Sequence, residues 1–477
     1  MRLVVDLVGL QSQSRFRGIG RYTRGLVQGL LRTAGEHEVW LTASRNLTKS
    51  LQDIQSQFND LPTNSRIVPY RVLDDICQRF PSHAWRRAAS ELVREHFLAD
   101  LQADAILFSS MIDGYADDVA TSSGTLYSDS VRATVGYDLI PLVSPKHYIR
   151  SVELRSWYRE KLDDFGKRDI FLAISDFAGR ELVDHLGIDP SRITSIMGGA
   201  DEFATDEKTA EPESGHPQLA RLGVSRPFFV YAASFEHRKN FGTLIDAFAR
   251  FKSQVDQPHQ LVLVMSKSKV ATRAIEKMVR GAGLSNADVL VTGTVDDADL
   301  KQLYRSCVAL VYPSLHEGLG LPILEAMHLD AAVIGSNASG IPEIIGLDEA
   351  LFDPRSADSV AGKMVRVVRD EAFRNRLKQN AVARRSLFTW DKTASTAWRA
   401  LEKASAAHAA SRGTRSSRPE RYRTLIAALK RLPASGGSPT ENERRALANA
   451  IAENLDEIEK VTAQQDDGSR NRASLGA

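Results

Sequence analysis

Residues 308–327 read Val308-Ala-Leu-Val-Tyr-Pro-Ser-Leu-His-Glu-Gly-Leu-Gly-Leu-Pro-Ile-Leu-Glu-Ala-Met327, and this stretch decides the fold class. Its apolar, β-branched beginning ends at Tyr312-Pro313-Ser314, which is typical of a buried parallel strand. The glycines of Glu317-Gly-Leu-Gly320 predict a flexible turn, and Pro322 fits the first position of a helix. The stretch therefore predicts one strand–turn–helix unit of a parallel α/β sheet.

The turn of this unit has the features of an anion site. A helix start directs free backbone N–H groups and the positive end of the dipole into the space above the strand, where a diphosphate is the natural ligand. Glu317 and Glu325 flank this space, and their carboxylates could accept hydrogen bonds from sugar hydroxyl groups. Equally, Glu317 could be a solvated loop residue and Glu325 a first-turn partner of the helix dipole, because their spacing alone is not specific. The strand–glycine–proline–helix context favours a nucleotide-sugar site.

The composition is that of an ordinary globular protein with more than one domain. A chain of 477 residues with 43% hydrophobic and 26% charged residues predicts two domains plus additions. A formal net charge of +2 gives no support for nucleic-acid binding. Cys77 and Cys307 cannot form a disulfide scaffold or a zinc ribbon, and they fit a reducing cytoplasm. The start of the chain is too short an apolar run for a signal peptide, and no run approaches the ~18 residues of a membrane span. We expect a cytoplasmic protein, with peripheral attachment to the inner face of the membrane left open.

A first Rossmann-like domain is predicted for residues 1–205. Leu3 to Val8 reads as a buried strand and leads through Gly18 and Gly20 into a helical pattern. Such a glycine loop can approach phosphate or sugar closely, although the third glycine of a dinucleotide fingerprint is replaced by Thr23. The alternative is a tight turn that requires positive φ.

Further strands of this domain are predicted at 39–43, 105–108, 134–137 and 171–174. They alternate with helices such as Ala84 to Ala99, which indicates a doubly wound parallel sheet. Tyr137 and Asp138 follow a strand, at the edge where open α/β sheets place ligand contacts. The alternative for Asp138 is a simple turn or cap.

A second Rossmann-like domain is predicted for residues 227–390, after a polar linker at 206–226. Its strands are predicted at 228–232, 261–264, 289–292 and 332–335 and in the apolar run that begins at Val308 and ends before Pro313. A helix is predicted at 240–251. Arg238 and Lys239 follow the first of these strands and could hold a diphosphate and neutralise its charge. The alternative is a pair of solvated surface cations.

Asp297-Ala-Asp299 has the spacing of a metal-binding pair of carboxylates in some transferases. Two acidic residues in the first turn of a helix need no metal, because they complement the helix dipole. We favour the dipole interpretation and expect neither a metal nor another cofactor.

The end of the chain extends beyond the second domain. A helix is predicted at 391–410, and residues 411–477 are predicted to form a linker followed by a helical and partly disordered extension. Within it, 422–432 and 440–461 are helical patterns, and 464–477 is predicted to be disordered. One apolar stripe could pack on the body, self-associate or bind a partner, and its members are Leu447, Ile451, Leu455 and Ile458.

Several motifs together resemble those of glycosyltransferase family 4. They are Gly18-Ile-Gly-Arg-Tyr-Thr23, Tyr137-Asp-Leu-Ile-Pro141, Ile174-Ser-Asp-Phe177, Arg238-Lys-Asn240, Thr292-Gly293, the block from Pro313 to Met327, and Pro342-Glu343. The resemblance covers about residues 1–405. Its most specific part is the pair Glu317 and Glu325, which seven residues separate, in the block from Pro313 to Met327. It implies the GT-B fold, in which two Rossmann-like, doubly wound α/β domains face each other across a cleft. The donor would bind mostly to the second domain and the acceptor to the first, and the helix after Trp390 would cross back to the first domain.

The resemblance also implies a role for each matching residue. Lys239, with Arg238 beside it, would contact the donor diphosphate, Glu325 would hold the ribose, and Glu317 would lie near the transferred sugar. The remaining donor-binding positions would be Gly18, Gly20, Gly293, Gly318, Leu319, Gly320 and Leu321. The positions near the acceptor and the sugar would be Arg17, Tyr137 and Asp138.

Two departures from the family pattern concern the donor. Many members have His-Asp at Tyr137-Asp138 and Gly-Arg at Ala233-Ser234.

The implied function is retaining transfer of a sugar to a saccharide or lipid-linked acceptor in cell-surface polysaccharide biosynthesis, with GDP-mannose as the first candidate donor. The alternatives are a UDP- or dTDP-sugar transferase, a sugar-nucleotide epimerase, and a catalytically silent sugar-binding or scaffold protein. The C-terminal extension could add a protein or peripheral membrane partner.

Overall fold

The structure is a computed structural model that describes residues 1–122, 126–203, 217–433 and 439–475, with side chains described as far as residue 463. Residues 206–216 of the predicted linker and residues 476–477 lie outside the described residues. Pro217–Arg221, in the second half of the predicted linker, forms a short helix.

The first sheet lies in residues 1–195 of the described chain. Its strands are β1 (Arg2–Asp6), β2 (Glu38–Thr42), β3 (Ser65–Ile67), β4 (Ala105–Phe108), β5 (Val131–Gly136), β6 (Ile170–Ala173) and β7 (Ile193–Ser195). They are parallel and lie in the order β3-β2-β1-β4-β5-β6-β7. The order reverses direction between β1 and β4, as in a doubly wound sheet.

The second sheet follows the same plan. Its strands are β8 (Phe228–Ala232), β9 (Gln260–Val264), β10 (Val289–Val291), β11 (Ala309–Tyr312), β12 (Val333–Ser336) and β13 (Leu351–Phe352). They are parallel in the order β10-β9-β8-β11-β12-β13, so β8 and β11 flank the point where the direction reverses. The predicted fold class is therefore confirmed.

Helices cover both sheets and form the end of the chain. They are α1 (Val8–Gln11), α2 (Gly18–Arg32), α3 (Thr48–Gln57), α4 (Ala84–Asp100), α5 (Ile140–Val143), α6 (Pro145–Tyr148), α7 (Val152–Gly166), α8 (Asp176–Leu186), α9 (Pro217–Arg221), α10 (Phe241–Lys252), α11 (Lys269–Gly281), α12 (Asp297–Ser306), α13 (Leu321–His328), α14 (Ile341–Ile345), α15 (Ala357–Arg369), α16 (Glu371–Arg385), α17 (Trp390–Ser411), α18 (Arg418–Lys430) and α19 (Glu441–Leu475). No helix among the described residues has the length and apolar content needed to cross a membrane.

Local differences from the sequence predictions have simple causes. Strands β3, β7 and β13 were not predicted, because two or three residues are too few to show a periodic pattern. The first strand ends at Asp6, since Val8 already belongs to α1. The predicted loop around Gly18 is the first turn of α2, and neither Gly18 nor Gly20 has positive φ, so the tight-turn alternative was wrong.

Helix α17 packs on the first sheet unit rather than on the second. The indole ring of Trp390 lies against Gly25 of α2, where an added Cβ would be 2.0 Å from Cε2 of the ring. The Trp390 indole N–H donates to Glu202 at 2.7 Å, and that of Trp398 donates to the Leu30 carbonyl at 3.4 Å. The helix therefore joins the end of the second unit to the surface of the first.

The C-terminal extension also packs on the first unit. Buried Leu425 of α18 and Ile451 of α19 belong to the same apolar cluster as Phe97 of α4. The side chain of Asn454 donates to the Arg71 carbonyl at 2.9 Å and accepts from the Arg71 N–H at 2.6 Å. The apolar stripe of α19 could pack on the rest of the chain, self-associate or bind a partner. Within the described residues, it packs on the first unit.

Two boundaries in the extension differ from the predictions. Helix α18 begins at Arg418 rather than near Tyr422, because the Glu420 carboxylate caps its start by accepting from the Ser417 N–H at 2.7 Å. Helix α19 extends to Leu475, past residue 461, where the helical pattern in the sequence ends.

Arg421 makes the main buried ion pair of the extension, and its replacement should destabilise the chain. Its Nε lies 2.6 Å from Asp100 of α4, and both side chains are almost fully buried. We expect Arg421→Ala to lower the free energy of unfolding by roughly 3 kcal/mol, because Asp100 loses its main buried partner. Arg423→Ala on the exposed face of α18 is the matched control in chemical denaturation, and equal effects of both changes would contradict the prediction.

Candidate functional site

A cavity of about 600 Å³ lies between the two sheets. The segments that follow strands β4, β5 and β6 face those that follow β8 and β11 across it, so the carboxyl edges of both sheets meet there. The predicted site residues that line it are Arg17, Gly18, Tyr137, Asp138, Arg238, Lys239, Glu317, Gly318, Leu319, Gly320, Leu321 and Glu325.

Two of the predicted donor-binding glycines are not in the cavity lining. Gly20 packs against the backbone of Arg15, where an added Cβ would lie 2.3 Å from the carbonyl oxygen. Gly293 has φ of +91° and lies near the side chain of Lys267. Their conformational and packing requirements account for these glycines, and sequence motifs cannot separate such requirements from ligand contact.

Residues 313–320, which we call the Glu317 loop, connect β11 to α13. Gly320, the N-cap of α13, has a φ of +105°, in the left-handed region that favours glycine. The helix begins at Leu321, so Pro322 occupies its second position and not, as predicted, its first. The loop is held by its own domain, since the Leu315 N–H donates to the Arg238 carbonyl at 2.8 Å and the Glu317 N–H donates to Ser339 at 2.9 Å.

The carboxylate of Glu317 is buried between two cations. Its Oε1 lies 2.6 Å from Nζ of Lys239, and its Oε2 lies 2.6 Å from Nη1 of Arg238. The hydroxyl of Tyr312 donates to the same carboxylate at 3.3 Å. Glu317 is only 6% exposed, so the alternative of a solvated loop residue was wrong.

The two cations keep Glu317 ionised. Burial alone would raise the pKa of Glu317, but the charges of Lys239 and Arg238 outweigh it and lower that pKa to about 2. Burial lowers the pKa of Lys239, while Glu317 raises the pKa of Arg238 against the effect of burial. Since the Arg238 guanidinium does not lose its proton, the carboxylate has a permanent charged partner at neutral pH.

Glu325 lies one helical turn into α13 and is paired across the cleft. Arg21 of α2 forms an ion pair with its Oε1, and the hydroxyl of Tyr304 donates to its Oε2 at 3.2 Å. Burial raises the pKa of Glu325, although Arg21 acts in the opposite direction. Glu325 is 2% exposed and lies beyond the first turn of α13, so it is not a first-turn partner of the helix dipole.

No role was predicted from the sequence for Arg21 or Tyr304. Arg21 stands in the motif Gly18-Ile-Gly-Arg-Tyr-Thr23, in the first turn of α2. Its place in that motif was a usable signal. Tyr304 lies on α12, and only the tertiary structure places it against α13.

Tyr137 and Asp138 form the opposite wall of the cavity. The Tyr137 ring lies edge-on to Tyr22, with centroids 5.8 Å apart. Burial raises the pKa of Asp138, with Arg238 opposing it and Glu317 adding to it. The Asp138 carboxylate packs against Gly318, where an added Cβ would lie 2.8 Å from Oδ2.

The Asp297-Ala-Asp299 pair lies in the first turn of α12, as the dipole interpretation predicts. Asp296 is the N-cap and accepts from the Asp299 N–H at 2.8 Å. The two acids have different partners: Asp297 lies 3.4 Å from Arg21, and Asp299 lies 2.7 Å from Arg221.

Comparison with known proteins supports this description. Residues 219–384 match the family "Glycosyl transferases group 1". The serotype-specific mannosyltransferase WbdA of Escherichia coli is 31% identical over 401 residues, which are 83% of this chain and 47% of that protein. The O-antigen chain mannosyltransferase B of Escherichia coli is 27% identical over 256 residues, which are 53% of this chain and 64% of that protein.

Solved structures match the fold of most of the chain. HepE of Anabaena in complex with UDP and glucose matches with a TM-score of 0.62 and 16% identity, over 84% of this chain and all of that one. WaaG, a glycosyltransferase involved in lipopolysaccharide biosynthesis, matches with a TM-score of 0.57 and 14% identity, over 83% of this chain and 98% of that one. The chain has the GT-B fold, and its residues 219–384 match a family of glycosyl transferases.

The matched family region contains much of one wall of the cavity. Arg238, Lys239, Glu317 and Glu325 all lie within residues 219–384. Arg21 and Asp138, which face them, lie in the preceding half. The chain spans about half the length of the WbdA relatives, so it corresponds to a part of those proteins.

The ion cluster at Glu317 should make stability depend on acid. The pKa of Glu317 is lowered from 4.5 to about 2. The ionised carboxylate therefore contributes stability that is fully present above pH 4.5 and is lost as the pH falls through about 2. We expect Glu317→Gln to lower the free energy of unfolding at pH 7 by roughly 3 kcal/mol and to reduce its fall between these pH values.

The matched control is Glu160→Gln, because Glu160 is an exposed glutamate on α7. Denaturant titrations of both variants across this pH range decide the question. A wild-type acid dependence that Glu317→Gln leaves unchanged would show that the cluster contributes no net stability.

Proposed function

We propose that this chain is a retaining glycosyltransferase that moves a sugar from a nucleotide sugar to a saccharide or lipid-linked saccharide acceptor. The first candidate donor is GDP-mannose, and the proposed setting is cell-surface polysaccharide biosynthesis. The observation that carries the proposal is the cavity wall on which Arg238 and Lys239 lie beside Glu317, with Glu325 on the adjoining helix. The mannosyltransferase relatives support the choice of sugar and setting.

The charges of this wall suit a leaving diphosphate. Arg238 and Lys239 together carry two positive charges, and their contacts with Glu317 and with Glu236 hold both cations in fixed positions at the cavity wall. Fixed cations of this kind stabilise negative charge that develops as the sugar–phosphate bond breaks. In the proposed front-face reaction, the acceptor hydroxyl approaches the sugar as the diphosphate leaves, and a phosphate oxygen takes its proton.

Glu325 would hold the ribose of the donor. A carboxylate can accept hydrogen bonds from both ribose hydroxyl groups, and Oε1 of Glu325 is the atom that Arg21 contacts. Donor binding would therefore exchange the Arg21 contact for the ribose. Tyr304 keeps its contact with the other carboxylate oxygen in this scheme.

We place the reaction in the cytoplasm, with the acceptor presented at the inner face of the membrane. Cys77 and Cys307 are both buried free thiols, which supports a reducing compartment. The exposed surface of α18 and α19 remains the candidate region for a protein or membrane partner. The nucleotide sugar and the saccharide acceptor are the proposed small-molecule partners.

A thermal-shift screen of GDP, UDP, ADP and dTDP at one concentration tests the proposed donor. A ligand of the folded state stabilises it by about 2.7 kcal/mol at a hundred times its dissociation constant. We expect the largest shift for GDP, together with slow hydrolysis of GDP-mannose. A larger shift for UDP or dTDP would replace the donor, a new sugar product would indicate an epimerase, and binding without turnover would favour a silent sugar-binding protein.

The proposed reaction needs no metal or other cofactor, because Arg238 and Lys239 carry the charge that a divalent ion would otherwise supply. We expect turnover of the donor to be unchanged in EDTA. The measurement compares initial rates in EDTA, after dialysis and with added Mn²⁺ or Mg²⁺. Activity that EDTA removes and Mn²⁺ restores would overturn this part of the proposal.

Kinetics should separate the two glutamates. Glu325→Ala should raise the donor KM by roughly 10- to 150-fold, because it removes a charged hydrogen bond of about 1.5–3 kcal/mol made in ground and transition states alike. Glu317→Ala should mainly lower kcat while nucleoside diphosphate binding persists.

Arg21→Ala is the matched control for Glu325→Ala, since it breaks the same ion pair but leaves the carboxylate in place. Its KM should therefore change less than that of Glu325→Ala. A near wild-type kcat for Glu317→Ala would show that the reaction centre lies elsewhere in the cavity.

A further inference from the structure

The N-terminal end of α8 reaches from the first sheet unit to the Glu317 loop of the second. The hydroxyl of Ser175, the N-cap of this helix, donates a hydrogen bond to the Gly318 carbonyl. The ring of Phe177 lies edge-on to the imidazole of His316, with centroids 5.4 Å apart. The loop that carries Glu317 is therefore in contact with both halves of the chain.

Glu181, one and a half turns into α8, connects two walls of the cavity. Its Oε2 accepts from the Leu139 N–H at 3.1 Å, next to Asp138. Its Oε1 lies 3.0 Å from Nε2 of His316, next to Glu317. Glu181 is 4% exposed and is not part of the cavity lining, so it can act on the site only through these neighbours.

The same loop is held from its own side by Arg238. The Arg238 guanidinium donates to the His316 carbonyl at 3.1 Å and pairs with the Glu317 carboxylate. His316 thus lies between a cation of the second unit and a carboxylate of the first. Movement of α8 away from the cleft would break the contacts of Glu181 and Ser175 while leaving those of Arg238 in place.

A second cross-cleft contact of α8 provides a comparison. Arg180 pairs with Glu343 at 2.7 Å, and the Asp176 N–H donates to the same carboxylate at 3.0 Å. The Arg180 side chain is 60% exposed and, within the described residues, its ion-pair partner is Glu343. An exposed pair of this kind contributes little to stability. It joins the two units without touching the Glu317 loop.

We propose that Glu181 is a positioning residue, which couples closure of the cleft to the placement of Glu317 by holding His316 when the two units meet. The inference rests on the proposed glycosyl transfer, for which Glu317 must lie near the sugar. Displacement of a reacting group by about 1 Å can cost on the order of 100-fold in rate. Glu181 would therefore affect kcat rather than nucleotide affinity.

Protonated His316 strengthens this contact. Burial lowers the pKa of His316, but Glu181 on α8, Asp138 after β5 and the adjacent Glu317 outweigh it and raise that pKa above 6.5. Arg238 is the cation that faces the same loop. The charged contact is thus fully present below pH 6.5 and is lost as the pH rises through the raised pKa.

The test compares Glu181→Gln with Arg180→Gln in the full chain. Glutamine can still accept from the Leu139 N–H but carries no charge for His316. We expect Glu181→Gln to lower kcat by about 10- to 100-fold with nucleoside diphosphate affinity within about threefold, and Arg180→Gln to change neither. In the wild type, kcat should fall as the pH rises and His316 loses its proton. In Glu181→Gln this fall should occur at lower pH, because the loss of the Glu181 charge lowers the pKa of His316.

Hydrogen exchange supplies a readout that does not depend on turnover. The amides of Leu315 and Glu317 should exchange faster in Glu181→Gln than in the wild type and in Arg180→Gln. His316→Asn should reproduce the effect, and the double variant should be no worse than either single one. Unchanged exchange in the loop, or equal effects of Glu181→Gln and Arg180→Gln, would overturn the proposal. A wild type without turnover would instead contradict the proposed function, while the exchange comparison would still decide the role of Glu181.

Discussion

The buried ion cluster of Glu317, Arg238 and Lys239 is the interaction on which the site depends. Burying a charge is costly unless a partner of opposite sign lies within contact distance. Here one carboxylate lies 2.6 Å from each of two cations, so all three groups can remain charged away from water. The cluster thereby holds two cations at the wall of the cavity, where an anionic group could bind between them.

The cleft is defined by contacts that cross it. Arg21 reaches Glu325 from α2, and Ser175 and Glu181 reach the Glu317 loop from α8. The first two contacts end on the proposed donor-binding residues Glu325 and Gly318, and the third ends on His316, next to Glu317. The relative position of the two sheet units and the geometry of the site are therefore linked through side chains, as well as through the chain connections.

The first sheet unit is completed by segments from the end of the chain. Helix α17 brings Trp390 onto α2, and helices α18 and α19 cover α4 with apolar side chains and the buried Arg421–Asp100 pair. The C-terminal extension is thus part of the core of that unit. This arrangement ties the end of the chain to the half that carries Arg21, Asp138 and Glu181.

The sequence by itself determined the fold class, the longer strands and helices, and the residues at the carboxyl edges of both sheets. These features depend on local patterns of apolar residues, glycines and prolines, which neighbouring residues in the chain carry. It could also have indicated Arg21, which stands within the motif from Gly18 to Thr23. Only the tertiary structure decided which charged groups meet: Glu317 with Arg238 and Lys239, Glu325 with Arg21, and Glu181 with His316. Pairs separated by tens to hundreds of residues depend on the packing of whole sheet units, and no local pattern encodes that packing.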